Sequence, residues 1–403
     1  MQSPYLVSGS LEEDRYSRFQ LIPWWDQRKI RSTRVLVVGA GALGNEILKN
    51  LVLIGFEKIV VVDQDRIERS NLSRAVLFRD EQVGQYKAEA AAVTLNSWTP
   101  TAKVWPLVAN VIHNCGLGLF TWSDVIIAGL DNREARLWIN RAAWKTNRPW
   151  IDGAIEGING VARVFLPGVA PCYECTLGET DWALLQRRMS CNLLTHESSS
   201  EGKVPTTPTI ASIIAGIQVQ EAVKWIHGLP TLSSSGLVFE GLNHTSYVVQ
   251  YTENPDCMSH DSFERVVKLP QRSCEMTVTD LIEKARADLG TQDVAIEFSR
   301  EIIRALECPT CKSVEEVFAP VGSVSAEQGK CPRDGHTRIV FPVHSFSSIE
   351  GLGGRQLDQL GLPLFDIFSA RSSSAEIAYL LSGDSGQVLG PLLSEDWASS
   401  GEV

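Results

Sequence analysis

The apolar positions change their rhythm repeatedly along the chain. Arg34-Val-Leu-Val-Val-Gly39 is a continuous, largely β-branched run that ends on glycine. Such a run is the pattern of a strand buried on both faces of a parallel sheet. Asn45 to Ile54 then takes helical spacing and stops at Gly55, a residue suited to a left-handed helix end. Lys58-Ile-Val-Val-Val-Asp63 is a second apolar strand, completing a βαβ unit.

The alternation continues to about residue 255. The spacing predicts helices over Gly84–Leu95, Arg133–Thr146 and Thr209–Trp225. Strands are expected over Val104–Leu107, Asp124–Ala128, Trp150–Asp152, Val161–Leu166, Gly236–Glu240 and Ser246–Tyr251. Residues 12–22 predict an amphipathic helix ended by Pro23. Residues 171–206 are polar and irregular. After 262 the texture changes: Thr279–Leu289 predicts a helix with Thr279 as its N-cap, 306–340 is rich in Cys, Pro, Gly and Lys, and the tail is rich in Ser, Gly and Leu. The chain therefore divides into an N-terminal helical lead-in (1–30), an α/β domain with a mostly parallel, Rossmann-like sheet (31–260, with a crossover loop at 176–206), and a smaller α+β domain (261–403) carrying a zinc-ribbon-like segment at 306–338.

Composition narrows the function. A chain of 403 residues with 44% hydrophobic and 21% charged residues has material for two or three cores. The net charge of -11, with no basic block, argues against sequence-independent nucleic-acid binding. No apolar run reaches the length of a membrane span. The start has neither a basic stretch nor an apolar middle, so no secretory signal and a cytoplasmic location are expected. Nine cysteines, an odd number, argue against a disulfide framework.

The chemistry starts at Gly39-Ala-Gly41-Ala-Leu-Gly44, a G-x-G-x-x-G between strand and helix. The first glycine allows the turn, the second lets a phosphate approach the backbone, and the third lets helix and strand pack. Asp63 ends the next strand, where an acid can bind a ribose hydroxyl. That much fits NAD or ATP equally. The following segment separates them: Ser70-Asn71-Leu-Ser-Arg74 and Gly84-Gln-Tyr-Lys87 bring cations suited to a triphosphate, not a flat nicotinamide slot. Asp131, just past an apolar strand, is placed for magnesium beside phosphates.

Taken in order, Arg15-Tyr-Ser-Arg18, Gly39 to Gly44, Asp63-x-Asp65, Ser70-Asn71-Leu72-x-Arg74, Gly84-Gln-x-Lys87 and Leu130-Asp131-Asn132 resemble the adenylation domain of ubiquitin-activating enzymes and of the bacterial thiamine- and molybdopterin-pathway adenylyltransferases. The resemblance covers about residues 12–260. It implies ATP, with Asp63 on the ribose, Asn71, Arg74 and Lys87 on the phosphates, and Asp131 serving magnesium and activation. It implies that Arg18 reaches the ATP of a partner subunit, hence a homodimer. It further implies that the C-terminal carboxylate of a ubiquitin-like protein, usually ending in Gly-Gly, is adenylated. Cys191, beside Arg187 and Arg188, would then capture the acyl group as a thioester for transfer to a conjugating enzyme. The alternative is an adenylyltransferase for a sulfur-carrier protein, without conjugation.

Cys172-Tyr-Glu-Cys175 and Cys257-Met-Ser-His260 each offer two ligands of a tetrahedral zinc. The resembling family commonly has two Cys-x-x-Cys pairs at these places, so His260 stands where a cysteine is usual. Cys308-Pro-Thr-Cys311 with Cys331 and His336 predicts a second zinc site, the halves separated by nineteen residues. A competing arrangement pairs Cys172 and Cys175 with Cys308 and Cys311. Cys115 and Cys274 lack partners and read as structural. No cysteine follows residue 340, so a built-in sulfur-donor loop is not expected there and partner recruitment is the favoured role. Leu360 to Asp384 faintly resembles the end of a ubiquitin-like fold.

Overall fold

The computed structural model describes residues 14–188, 205–347, 351–394 and 397. Among these, strands β1 (Arg34–Val38), β2 (Lys58–Val62), β3 (Lys103–Leu107), β4 (Val125–Gly129), β5 (Trp150–Glu156), β6 (Asn159–Phe165), β7 (Ser235–Glu240) and β8 (Thr245–Gln250) form one sheet in the order β3-β2-β1-β4-β5-β6-β7-β8. The first five are parallel and the last three antiparallel. The order reverses between β1 and β4, which opens a crevice at their carboxyl ends.

Alternation along the central strands explains the layers. Val35, Val37, Ile59, Val61, Val125 and Ile127 face helices α2 (Ala42–Ile54), α3 (Lys87–Asn96) and α7 (Pro208–Ile226). Leu36, Val38, Val60, Val62 and Ile126 face the opposite way, onto α4 (Leu117–Trp122) and α5 (Arg133–Lys145). Each fully buried side chain of this size contributes about 1.5–3 kcal/mol. Two expectations fail here. The segment before Pro23 is not an amphipathic helix: from residue 14 it runs through turns and a three-residue 3-10 piece, Phe19–Leu21. Tyr16 and Phe19 stack on each other and Phe19 on Trp25, which with Trp24 packs against His227. A short helix α1 (Gln27–Ser32), capped by Asp26, follows Pro23. The crossover also holds a helix, α6 (Glu179–Arg188).

The C-terminal part builds its own sheet from β9 (Val266–Leu269), β10 (Ala295–Glu307), β11 (Val314–Pro320), β12 (Ile339–Phe346), β13 (Ile367–Arg371) and β14 (Glu376–Leu381), in the order β11-β10-β13-β14-β9, with β12 also on β10. Helix α8 (Val278–Leu289) packs on it and is capped by Thr277, not Thr279; the Thr277 hydroxyl accepts from Asp280 N and the Asp280 carboxylate accepts in return. This domain does not stand apart. Val266, Phe365, Ile367, Leu380, Leu389, Leu392 and Trp397 share one buried cluster with the α4/α5 face of the large sheet. Arg300 and Asp366 cross the boundary. The Arg300 guanidinium donates to the Ile112 carbonyl and, at 2.8 Å, to the Cys115 carbonyl; the Asp366 carboxylate accepts from Leu117 N at 2.7 Å. No helix among the described residues is long and apolar enough to cross a membrane.

Candidate functional site

The glycine turn sits in the crevice between β1 and β4. Gly39 has φ +95°, and a Cβ there would stand 2.5 Å from the Gly129 carbonyl oxygen. A Cβ at Gly44 would stand 1.9 Å from the Gly39 oxygen. Both positions are glycine because the fold needs them to be. Gly41 differs: a Cβ there meets nothing within 4 Å, and its φ of -72° suits any residue. Its smallness therefore leaves open space in front of the helix N-terminus, where unpaired backbone N–H groups suit an anion.

Asp63 closes this turn from below. One carboxylate oxygen accepts from Ala40 N at 2.7 Å and the other from Asp65 N at 2.8 Å. Burial pushes the Asp63 carboxyl above its ordinary range, against the pull of Lys87. Lys87 donates to the Asp65 carboxylate at 2.8 Å, and its backbone N–H donates to the Asp65 carbonyl at 2.9 Å. The loop from 65 to 87 is thus folded back on itself, with Arg66 lying over the Tyr86 ring. Asn71 and Arg74 lie in that loop, both half-buried. The Asn71 side-chain oxygen accepts from Glu68 N at 2.9 Å, and Arg74 donates to the Ser70 carbonyl at 2.9 Å. Asp131 is exposed two residues past Gly129, beside Asn132, the N-cap of α5.

So Gly39, Gly41, Gly44, Asp63, Lys87 and the loop of Asp131 converge at one end of the sheet. Arg18 does not join them. Tyr16, two residues before it, packs against Gly55 at the far end of α2, and a helix of 13 residues spans roughly 20 Å. Cys191 lies outside the described residues.

Three supports went unread in the sequence. Buried Asn45 donates to the Ala40 carbonyl at 2.7 Å and accepts from Leu77 N at 2.9 Å, pinning the turn to the loop. A polar residue on the buried side of α2 was the available signal. Behind Asp131, Asp152 is fully buried between Arg136 and Arg163. Burial disfavours its charge, but the two guanidinium groups outweigh that and hold its carboxyl below the usual range. Arg136 also donates to the Leu130 carbonyl at 2.5 Å, which fixes the residue before Asp131.

The first cysteine group forms as expected. Cys172, Cys175, Cys257 and His260 bring four donor atoms within 4.8 Å of one another. Sulfur separations are 3.7 Å for Cys172–Cys175 and 3.5 Å for Cys172–Cys257, with 3.4 Å from Cys175 Sγ to His260 Nε2. Tetrahedral zinc with bonds of about 2.3 Å to sulfur sets sulfurs about 3.8 Å apart. Burial pushes the Cys172 and Cys257 thiols up, so a cation is needed to favour the thiolates. Glu174, between the two cysteines, takes a two-pronged contact from Arg141 on α5, both bonds at 3.0 Å, and accepts from Ser259 of the other pair. The residues fit a metal that joins the start of the crossover to the end of the large domain. The competing pairing with Cys308 and Cys311 is not the one brought together. In the second group Asp334 stands with Cys308, Cys311 and Cys331 in the place expected for His336.

Residues 13–259 match the ThiF family. The chain is 42% identical over 157 residues to the NEDD8-activating enzyme E1 catalytic subunit of Arabidopsis thaliana, a match covering 36% of this chain and 34% of the relative. It thus spans about a third of that relative's length. The SAMP-activating enzyme E1 of Haloferax volcanii is 32% identical over 255 residues, covering 60% of this chain and 87% of the relative. The crystal structure of E. coli MccB with ATP shares the fold, with a TM-score of 0.51 at 22% identity over 62% of this chain and 75% of that one. The glycine turn, the acid at the end of β2 and the match over residues 13–259 together make this chain a member of the ThiF family.

Proposed function

We propose that the chain activates the C-terminal carboxylate of a ubiquitin-like protein by adenylation. The reading rests on one observation above the others: Gly41 leaves open space before α2 while Asp63, Lys87 and Asp131 border the same crevice. ATP lies with its ribose on Asp63 and its phosphates toward the N-terminus of α2, Asn71, Arg74 and Lys87. The partner's carboxylate oxygen attacks the α-phosphorus, the bond to the β-phosphate oxygen breaks, and pyrophosphate leaves. Two anions must meet, so fixed cations lower the barrier. Lys87, its side chain 12% exposed, exchanges its contact with the 59% exposed Asp65 carboxylate for one with a phosphate. Magnesium held by Asp131 would add charge at the phosphates. Arg136 and Asp152 keep the Asp131 loop in place.

Arg18 completes the site of a second copy: Tyr16, two residues before it, packs at the end of α2 remote from its own glycine turn. The active species is then a homodimer. Cys191 attacks the acyl-adenylate carbon, AMP leaves, and the thioester is passed to a conjugating enzyme. Zinc on Cys172, Cys175, Cys257 and His260 holds the crossover in register. The free, clustered thiols suit the reducing cytoplasm. The relatives named for activating NEDD8 and SAMP support this reading over a sulfur-carrier role.

The test is ATP–pyrophosphate exchange with purified ubiquitin-like proteins ending in Gly-Gly. Exchange that requires both the partner and its last glycine is expected. Exchange in wild type but not in the Lys87→Ala variant locates it in this crevice, and a reductant-labile adduct lost in Cys191→Ala identifies the thioester.

A further inference from the structure

The end of the β10–β11 hairpin carries a cluster that adenylation does not use. Two tight loops face each other there. In the first, Lys312 N donates to the Cys308 carbonyl at 3.0 Å, Cys308 N to the Ser313 carbonyl at 2.9 Å, and Cys311 N lies 3.4 Å from Cys308 Sγ. In the second, Gly335 N donates to the Cys331 carbonyl and Cys331 N to the His336 carbonyl, at 2.9 and 2.8 Å. These main-chain bonds point the side chains inward.

Cys311 Sγ lies 3.7 Å from Cys331 Sγ, and Cys308 Sγ lies 3.3 Å from one Asp334 oxygen. A tetrahedral zinc with bonds of about 2.3 Å to sulfur and 2.0–2.2 Å to oxygen sets such edges at about 3.8 and 3.5 Å. All four donor atoms lie within 4.8 Å of one another. His336 stays outside. Its backbone N–H reaches the Asp334 carboxylate at 3.1 Å and its Nδ1 reaches the same oxygen at 3.2 Å, while the ring is more than half exposed.

A second argument comes from packing. The extension formed by the outer half of β10 with β11 and β12 buries only Ile303, Leu306 and Val324 in its own cluster. A core of that size does not hold so small a unit, and natural proteins supply a metal or a disulfide in such cases. No disulfide exists among the described residues, and the cysteines here are free.

We propose that Cys308, Cys311, Cys331 and Asp334 bind a second zinc ion, with His336 orienting the Asp334 carboxylate from outside. Three thiolates select a soft or borderline cation over magnesium or calcium. The ion ties the β10–β11 turn to the start of β12, where Arg338 already bonds to Glu315 and to the Gly329 carbonyl.

The test counts metal on the full chain purified with zinc. Two ions per chain are expected, falling to one in Cys331→Ser or in Cys172→Ser and to none in the double variant. Asp334→Ala should weaken retention against a chelator by at least tenfold, by analogy with the 10–100-fold cost of losing even an outer partner. His336→Ala should keep both ions with a smaller loss. One ion in wild type that survives Cys331→Ser overturns the proposal, as does loss on His336→Ala with none on Asp334→Ala. Should the serine variants fail to fold, cobalt substitution of wild type decides. Thiolate-to-cobalt absorption worth six thiolates supports the site, and absorption worth three rejects it.

Discussion

Two charged pairs in this molecule do opposite things. Asp65 and Lys87 stand in the crevice at the end of the large sheet, with side chains 59% and 12% exposed. Arg300 and Asp366 stand where the C-terminal domain meets α4 and α5, with side chains 6% and 2% exposed. The first pair faces water on its Asp65 side, where a ligand can reach it. The second is spent on main-chain groups across the boundary, Arg300 on two carbonyls and Asp366 on Leu117 N, with the Ser299 hydroxyl of β10 also donating to Asp366. On the proposed reading, charge near the glycine turn serves chemistry, while charge at the domain boundary serves cohesion. The C-terminal domain is fixed to the large sheet through that boundary.

Substitutions should separate the two roles. Asp366→Ala, which strands Arg300 in a buried place, should cost about 3–5 kcal/mol of stability. Denaturant melts of the full chain measure this, and the exchange rate per folded molecule should stay near wild type. Lys87→Ala should do the reverse. It should lower exchange by about 10²–10³, as loss of one fixed transition-state contact does, with a stability loss smaller than that of Asp366→Ala, because the carboxylate left behind, Asp65, faces water. If Lys87→Ala melts the protein instead, the contrast collapses.

Glycine substitutions sharpen the same contrast within one turn. Gly41→Ala should fold normally and weaken nucleotide binding by about 1–3 kcal/mol, the usual cost of overfilling, read by calorimetric titration. Gly44→Ala should destabilise the fold itself, since its Cβ has no room. The smallest effect is on acidity. Asp63 is raised by burial, so nucleotide affinity should begin to fall at a pH above the ordinary carboxylate range as Asp63 gains its proton. Asp152 is held low, so its contribution to stability is present above that range and is lost only as pH falls through its depressed value.

The large sheet was legible because β1, β2 and β4 are buried on both faces and read as continuous apolar runs. The C-terminal sheet was not: β11 and β12 are largely exposed, so no alternation marks them. Aromatic stacking of Tyr16 on Phe19 and of Phe19 on Trp25, not helical periodicity, organises the segment before Pro23. At the site, spacing revealed the glycines, Asp63 and the Cys172/Cys175 and Cys257/His260 pairs. It could not reveal Arg136–Asp152–Arg163, whose partners come from α5, β5 and β6. Nor could it favour Asp334 over His336, because an aspartate before glycine reads as a turn residue.

The proposed role of the crevice is adenylation. Its most direct measurement is ATP–pyrophosphate exchange by the metal-replete full chain with a ubiquitin-like protein ending in Gly-Gly. The predicted result is exchange that requires the partner's terminal glycine and is nearly abolished by Lys87→Ala. Exchange of the same size in wild type and Lys87→Ala, or tight nucleotide binding with no exchange for any such partner, would contradict it.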